Sequence, residues 1–135
     1  TGLSYQGIST LCPSHLFRDD EGTLWICRTR AEGAEVGDSC TSRVPLLKPA
    51  MVLLEKYRGW NPMNPEGPCF PVPSVQKMNE YLKEVAARCR ISKRLTTQMA
   101  RNTFAATVTL ASRIPKEHVR EMLGYSSDYM LRHYM

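Results

Sequence analysis

The first third of the chain has the short alternating runs and turn residues that are typical of a small antiparallel sheet. Three strands are predicted, at residues 15–17, 23–27 and 40–47. Residues 19–22 (DDEG) have turn chemistry and join the first two strands as a hairpin. The third strand ends near Pro45, because proline cannot donate a ladder hydrogen bond. Residues 3–11, before the sheet, are interpreted as the end of a helix.

The rest of the chain has apolar residues at the three- and four-residue spacing of amphipathic helices. Helices are predicted over residues 48–58, 74–89, 97–112 and 116–123, with a last short helix containing Tyr129 and Tyr134. Ser74 and Thr96 are suited to cap helices, and Gly124 to end one. The proline-rich residues 59–73 form a loop. The predicted class is α+β, mainly α, with a small three-stranded antiparallel sheet followed by a helical bundle.

Length and composition are those of one ordinary globular domain. The chain has 135 residues, of which 42% are hydrophobic and 23% charged. No apolar run reaches the roughly 18 residues of a membrane span, so no membrane partner is expected. The first residues, TGLS, contain neither a methionine nor a basic-then-apolar leader. We therefore expect a segment from the middle of a longer polypeptide.

The cysteines and histidines do not predict a metal or disulfide site. The five cysteines are an odd number and none forms a CxxC pair, and the three histidines lack metal-ligand spacing. The expected cofactor is none. The expected compartment is the reducing cytoplasm, where free thiols persist.

Charge is distributed unevenly along the chain. Residues 1–70 contain seven basic and eight acidic side chains, whereas residues 71–135 contain eleven basic and five acidic ones. The densest basic group is Arg88, Arg90, Lys93 and Arg94. Such a group favours DNA binding. A solvated helix end whose positive charges complement the helix dipole explains it equally well.

Four segments resemble, in order and spacing, the motifs of tyrosine recombinases of the phage-integrase family. Residues 95–105 (LTTQMARNTFA) resemble that family's T-x-H-x-x-R-H-T-F-A motif. Residues 119–127 (VREMLGYSS) resemble V-x-x-x-L-G-H-x-S, and Tyr134 follows at the distance of the family's tyrosine. Residues 1–3 resemble the T-G-L-R opening, and residues 44–46 the V/I-P-L at the end of the sheet. The finer resemblance is to integrases of Bacteroides-type mobile elements.

The resemblance implies a fold and an activity for the whole chain. Residues 1–135 would be the catalytic domain, without the DNA-binding domains that precede it in the family. The implied activity is site-specific cleavage and rejoining of double-stranded DNA through a 3′-phosphotyrosine, in the integration of a mobile element such as a transposon. The implied partners are DNA and further copies of the protein in a synaptic tetramer.

The resemblance also assigns residues to the site: Tyr134, Arg101, Arg30, Gln98 and Tyr125. Tyr134 would be the nucleophile and Arg101 the second catalytic arginine. Arg30 stands near the position of the lysine general acid. Gln98 and Tyr125 stand in place of two histidines. An arginine is a poor proton donor, and a glutamine cannot transfer a proton.

The position of the first catalytic arginine holds Ser4, which cannot supply a charged bidentate donor. Arg28 or Arg43 could restore part of the missing charge. The substitutions leave two functions open, an active recombinase and a DNA-binding module of the same fold without catalysis. An interaction module that docks on a neighbouring protomer is a third idea.

Overall fold

The computed structural model describes residues 1–29, 41–110 and 112–125. The predicted sites at Arg30 and Tyr134, and the predicted last helix, lie outside the described residues. The elements in chain order are α1 (Tyr5–Ser9), a 3₁₀ turn (Pro13–His15), β1 (Leu16–Arg18), β2 (Leu24–Thr29), β3 (Thr41–Pro45), α2 (Lys48–Lys56), α3 (Val75–Arg88), α4 (Thr97–Thr103), a π-helical segment (Phe104–Leu110) and α5 (Lys116–Leu123).

The three strands form one antiparallel sheet in the order β1-β2-β3. The carboxylate of Asp19 determines the β1–β2 turn, because it accepts the backbone N–H of Thr23 at 2.8 Å and the indole N–H of Trp25 at 2.7 Å. The Trp25 hydrogen bond is the main cause of a lowered Asp19 pKa. The predicted hairpin is thus confirmed, and its turn is held by hydrogen bonds that are local in sequence.

Ile26 and its cross-strand partner Val44 are both 1% exposed, so one face of the sheet is covered. We call this the inner face; side chains alternate along a strand, so Arg28 and Ser42 lie on it too. Against Ile26 pack Leu11 and Leu46, with flanking apolar residues from the segment before α1, from β1 and β2, and from α2 and the loop after it. A second buried cluster forms where α5 meets the π-helical segment, around Ala105, Val119 and Leu123.

The predicted caps are found at three helix ends. The hydroxyl of Ser74 accepts the N–H of Lys77, and that of Thr96 accepts the N–H of Met99. Gly124 ends α5 with a left-handed φ of 65°. These positions could be predicted because a cap depends on a few neighbouring residues.

The helix predicted over residues 97–112 is found as far as Leu110, but it is α-helical only to Thr103, where it gives way to the π-helical segment. Two threonine hydroxyls there donate to the carbonyl four residues earlier, Thr107 to Thr103 and Thr109 to Ala105. Such bonds compete with the N–H that would normally use that carbonyl, which favours a distorted helix.

The apolar stripe of α3 is only half covered. Val75 and Val85 remain 54% and 47% exposed, and Ala86 is the buried residue of this helix. The periodicity correctly predicted the helix but not its depth of packing, because periodicity carries no information about the opposing surface.

Gly2 brings the N-terminal segment against the second cluster. It is buried with a φ of +68°, and a Cβ placed on it would lie 2.5 Å from Phe104 Cδ1 and 2.9 Å from Leu123 Cδ2. Only glycine therefore fits here, both sterically and in backbone conformation.

We expect Gly2→Ala to lower the free energy of unfolding by about 2–4 kcal/mol, because overpacking adds to the cost of a left-handed alanine. Urea unfolding measures this. The matched control is Gly22→Ala, since Gly22 also has a positive φ of 83° but a Cβ there meets nothing within 4 Å. The control should lose only about 1 kcal/mol. Equal losses in the two variants would contradict the packing role of Gly2.

Candidate active site

Arg101 lies on α4 and its guanidinium group joins three segments of the chain. Nη1 donates to the carbonyl oxygen of Gly2 at 2.6 Å, and Nη2 donates to the carbonyl oxygen of Leu123. Nε donates to the hydroxyl of Tyr125 at 3.1 Å. The guanidinium carbon also lies 4.7 Å from the centroid of the Tyr125 ring, within cation–π distance. The structure therefore brings together Arg101 and Tyr125, two residues that the sequence motifs assigned to one site.

None of the Arg101 partners is a carboxylate. The ion pairs among the described residues are Arg58–Glu55, Lys77–Glu80 and Arg88–Glu84, all exposed and all within one turn of a helix or its end. Within the part of the chain described, the positive charge of Arg101 is thus neutralised by no protein anion. A guanidinium has five N–H groups, and the three bonds above leave one on Nη1 and one on Nη2. The arrangement is suited to an anion with two neighbouring oxygens, such as a phosphate.

Tyr125 reaches Arg101 because of the way α5 ends. The N–H of Gly124 donates to Glu121 and the N–H of Tyr125 donates to Arg120, the paired bonds of a Schellman motif. The left-handed Gly124 turns the chain back, so that the Tyr125 ring packs against the second cluster. The same turn leaves the Leu123 carbonyl available to Arg101.

Gln98 lies on the same helix, one turn before Arg101. Its side chain is exposed and its amide donates to Asn102 Oδ1 at 2.9 Å. The amide therefore lies along the surface of α4, where it is accessible to a ligand that approaches Arg101.

Ser4, at the position of the family's first arginine, has a structural role. Its hydroxyl accepts the N–H of Gly7 at 3.1 Å and caps α1. The motif comparison interpreted Ser4 only as a lost arginine; the serine itself, three residues before the bonded N–H, was a signal for a helix cap.

Ser42 is a further residue that the motifs missed. Its hydroxyl donates to the carbonyl oxygen of Met122 at 2.7 Å and fastens β3 to the end of α5. A Cβ on Gly124 would lie 3.4 Å from Ser42 Cβ, so the sheet and the Gly124 turn are in close contact. The contact places the inner face of the sheet beside the Arg101–Tyr125 pair.

The predicted DNA-binding group, Arg88, Arg90, Lys93 and Arg94, is exposed throughout. Arg88 pairs with Glu84 at 2.6 Å, whereas no ion pair is found for the other three within the described ranges. Arg90 has a φ of 54° and follows the end of α3, where the chain turns. The group is therefore a solvated basic surface at a helix end, available to a polyanion.

The crystal structure of XerA recombinase is similar in fold to this chain. The TM-score is 0.75, with 99% of this chain and 47% of that chain covered, at 17% sequence identity. The fold is that of a tyrosine recombinase domain. The predicted fold class is thereby confirmed. The chain spans about half the length of this recombinase, and at this identity the likeness concerns the fold. No family model matches the chain, and no curated protein matches it in sequence.

Two further classes of site were sought in the described ranges. No helix there is long and apolar enough to cross a membrane. No group of three or more histidine, cysteine, aspartate or glutamate side chains among the same residues is arranged to hold a metal ion.

We expect Arg101→Ala to lower the free energy of unfolding by about 2–4 kcal/mol, because two buried carbonyls lose a charged donor. Tyr125→Phe removes one hydroxyl and should lose about 1 kcal/mol. Urea unfolding of both variants and of the double variant gives the coupling energy, expected at about 0.5–2 kcal/mol. Strict additivity would show that the two side chains do not interact in solution.

Proposed function

We propose that residues 1–135 are the catalytic domain of a site-specific recombinase that cuts and rejoins double-stranded DNA in the integration of a mobile element. The single observation that carries the proposal is the Arg101 guanidinium, fixed by neutral oxygens and by Tyr125, with no carboxylate partner in the described ranges. The recombinase fold supports it.

In each step of the proposed reaction, one bond to phosphorus forms while another breaks. The phenol oxygen of Tyr134 forms a bond to phosphorus as the bond from phosphorus to the 5′-oxygen breaks. The phenol loses its proton, and the leaving 5′-oxygen gains one. A 5′-hydroxyl of a partner strand then reverses the step, so the bond energy is retained and no nucleotide cofactor is consumed.

Arg101 would stabilise the charge that develops on the phosphate oxygens. Its remaining Nη1 and Nη2 hydrogens match two non-bridging oxygens, and its other bonds fix it in place before DNA arrives. Tyr125 would orient the guanidinium through Nε and through its ring. Gln98 would offer a hydrogen bond from the accessible surface of α4.

Arg30 would hold the phosphate as a cation but would be a poor general acid, since a guanidinium stays protonated at neutral pH. The proposed partner beyond the cleaved phosphate is the DNA backbone, in contact with Arg88, Arg90, Lys93 and Arg94. Self-association in a synaptic tetramer and a cytoplasmic location complete the proposal.

The test is formation of a covalent protein–DNA adduct. The full-length protein containing this chain is incubated with a labelled pool of nicked duplexes of randomised sequence, and adducts are separated under denaturing conditions. We expect adduct from the wild type and from Tyr129→Phe, and none from Tyr134→Phe. Arg101→Gln should form adduct about 10²–10³ times more slowly, as when another fixed electrostatic donor is lost.

The alternative function, a DNA-binding module without catalysis, predicts a different result. Wild-type protein would then bind the duplex pool with a steep dependence on salt and form no adduct. This alternative is favoured by Ser4, whose hydroxyl serves a helix end instead of a phosphate. Adduct from Tyr134→Phe would contradict both functions as stated.

A second prediction concerns the leaving group. If no side chain donates a proton efficiently, a duplex with a 5′-bridging sulfur should be cleaved faster than the normal duplex, because a thiolate leaves without protonation. Arg30→Lys should raise the cleavage rate of the normal duplex and so reduce the difference between the cleavage rates of the two duplexes. Equal rates on both duplexes in the wild type would show that proton donation is not limiting.

A further inference from the structure

Arg28 lies on the inner face of the sheet, close to the segment that carries Ser4. Its cross-strand partner is Ser42, whose hydroxyl is bonded to Met122 beside the Arg101 site. The position is thus connected to the candidate site through β3 and the end of α5.

The Arg28 side chain is directed to α1. Nη1 donates to the carbonyl oxygen of Gly7, and Nη2 donates to Thr10 Oγ1 at 2.6 Å. A Cβ placed on Gly7 would lie 3.4 Å from Arg28 Nη1 and 3.3 Å from Ser4 Oγ. The guanidinium of Arg28 and the side chain of Ser4 therefore flank the same point of α1, although they come from different elements.

The N-terminal stretch of residues 2–10 carries acceptors for both guanidinium groups. The Gly2 carbonyl accepts a hydrogen bond from Arg101 Nη1 at 2.6 Å. Ser4 lies beside Gly7, whose carbonyl accepts a bond from Arg28. Two cations, one from β2 and one from α4, are thus anchored on the same stretch of chain.

Neither cation is neutralised by a carboxylate in the described ranges, where the ion pairs involve other residues. Among the described residues, Arg28 donates to neutral acceptors, a carbonyl and a hydroxyl. The pKa of His15 is lowered mainly by burial and, to a smaller extent, by the positive charge of Arg28. An anion that contacted both guanidinium groups would compensate their charge.

We propose that Arg28 supplies, from strand β2, the guanidinium group that the position of Ser4 does not, and that Arg28 and Arg101 together bind the phosphate that is cut. This inference rests on the proposed function. Arg28 retains an Nε–H and one N–H on each terminal nitrogen beyond its two bonds to α1. The bonds to Gly7 and Thr10 would fix its orientation before DNA binds.

The structure distinguishes Arg28 from Arg43, the other candidate for the missing charge. Arg43 pairs across the sheet with Cys27, so its side chain lies on the outer face and is exposed. Arg43→Gln removes the same charge from the neighbouring strand and is the matched control for Arg28→Gln. Glutamine at position 28 is a neutral, shorter donor, so the thermal unfolding of each variant separates loss of the charge from loss of the α1 contacts.

The experiment measures adduct formation on the randomised nicked pool, with thermal unfolding of each variant. We expect Arg28→Gln to slow adduct formation about 10²–10³-fold, and Arg43→Gln to remain near the wild-type rate. In the Arg28→Gln background, Ser4→Arg should restore at least about tenfold of the lost rate, because it returns a guanidinium to the same side of α1. A purely structural role for Arg28 would not be rescued by a change that also removes the α1 cap.

Each other result overturns the inference. Equal adduct rates for Arg28→Gln and Arg43→Gln, with an active wild type, would overturn the role of Arg28 and leave the proposed function standing. If Arg28→Gln lowers both the adduct rate and the unfolding temperature, and Ser4→Arg does not restore the adduct rate, Arg28 has a structural role. No adduct from the wild type would overturn the proposed function, and the inference with it.

Discussion

The Arg101 guanidinium is the interaction on which the arrangement of the C-terminal half depends. The guanidinium is half-buried, and no carboxylate of the described residues pairs with it. Its partners are two backbone carbonyls and one phenol. Gly2 brings one carbonyl, and the left-handed turn at Gly124 brings the other two partners. The buried cluster of Ala105, Val119 and Leu123 is completed by the same convergence.

This choice of partners has a physical consequence for function. A carboxylate would have stabilised the arginine more strongly but would have competed with any anionic ligand. Neutral oxygens orient the guanidinium and leave its charge for an anionic ligand, such as the phosphate of the proposed function. The same reasoning applies to Arg28, which is held by a carbonyl and a threonine hydroxyl. Preorganised cations without counterions are what phosphoryl transfer needs.

The sequence predicted the features that depend on near neighbours. The hairpin around Asp19 and the caps at Ser74 and Thr96 are held by bonds that span six residues or fewer. The π-helical segment was missed because the helix periodicity of residues 97–112 did not reveal the competing bonds of Thr107 and Thr109. The exposure of the apolar stripe of α3 was not predicted, because burial of a helix depends on residues that are far away in the sequence.

The candidate site was predicted only in part for a related reason. The pairing of Arg101 with Tyr125 followed from motif spacing, and the structure brings the two residues together. Arg28 could not be separated from Arg43 until the strand register assigned them to opposite faces. Ser4 was interpreted only as a lost arginine, although a serine three residues before Gly7 is also a signal for a helix cap.

The cap at Ser4 also constrains how this sequence can diverge. Position 4 can hold a hydroxyl that caps the start of α1 or a long cation, but not both, so an arginine there would leave the Gly7 N–H without its side-chain partner. Under the proposed role of Arg28, substitutions at positions 4 and 28 would be epistatic, since the effect of either would depend on which residue the other position holds. A cation on the strand would then meet a barrier to a return to position 4.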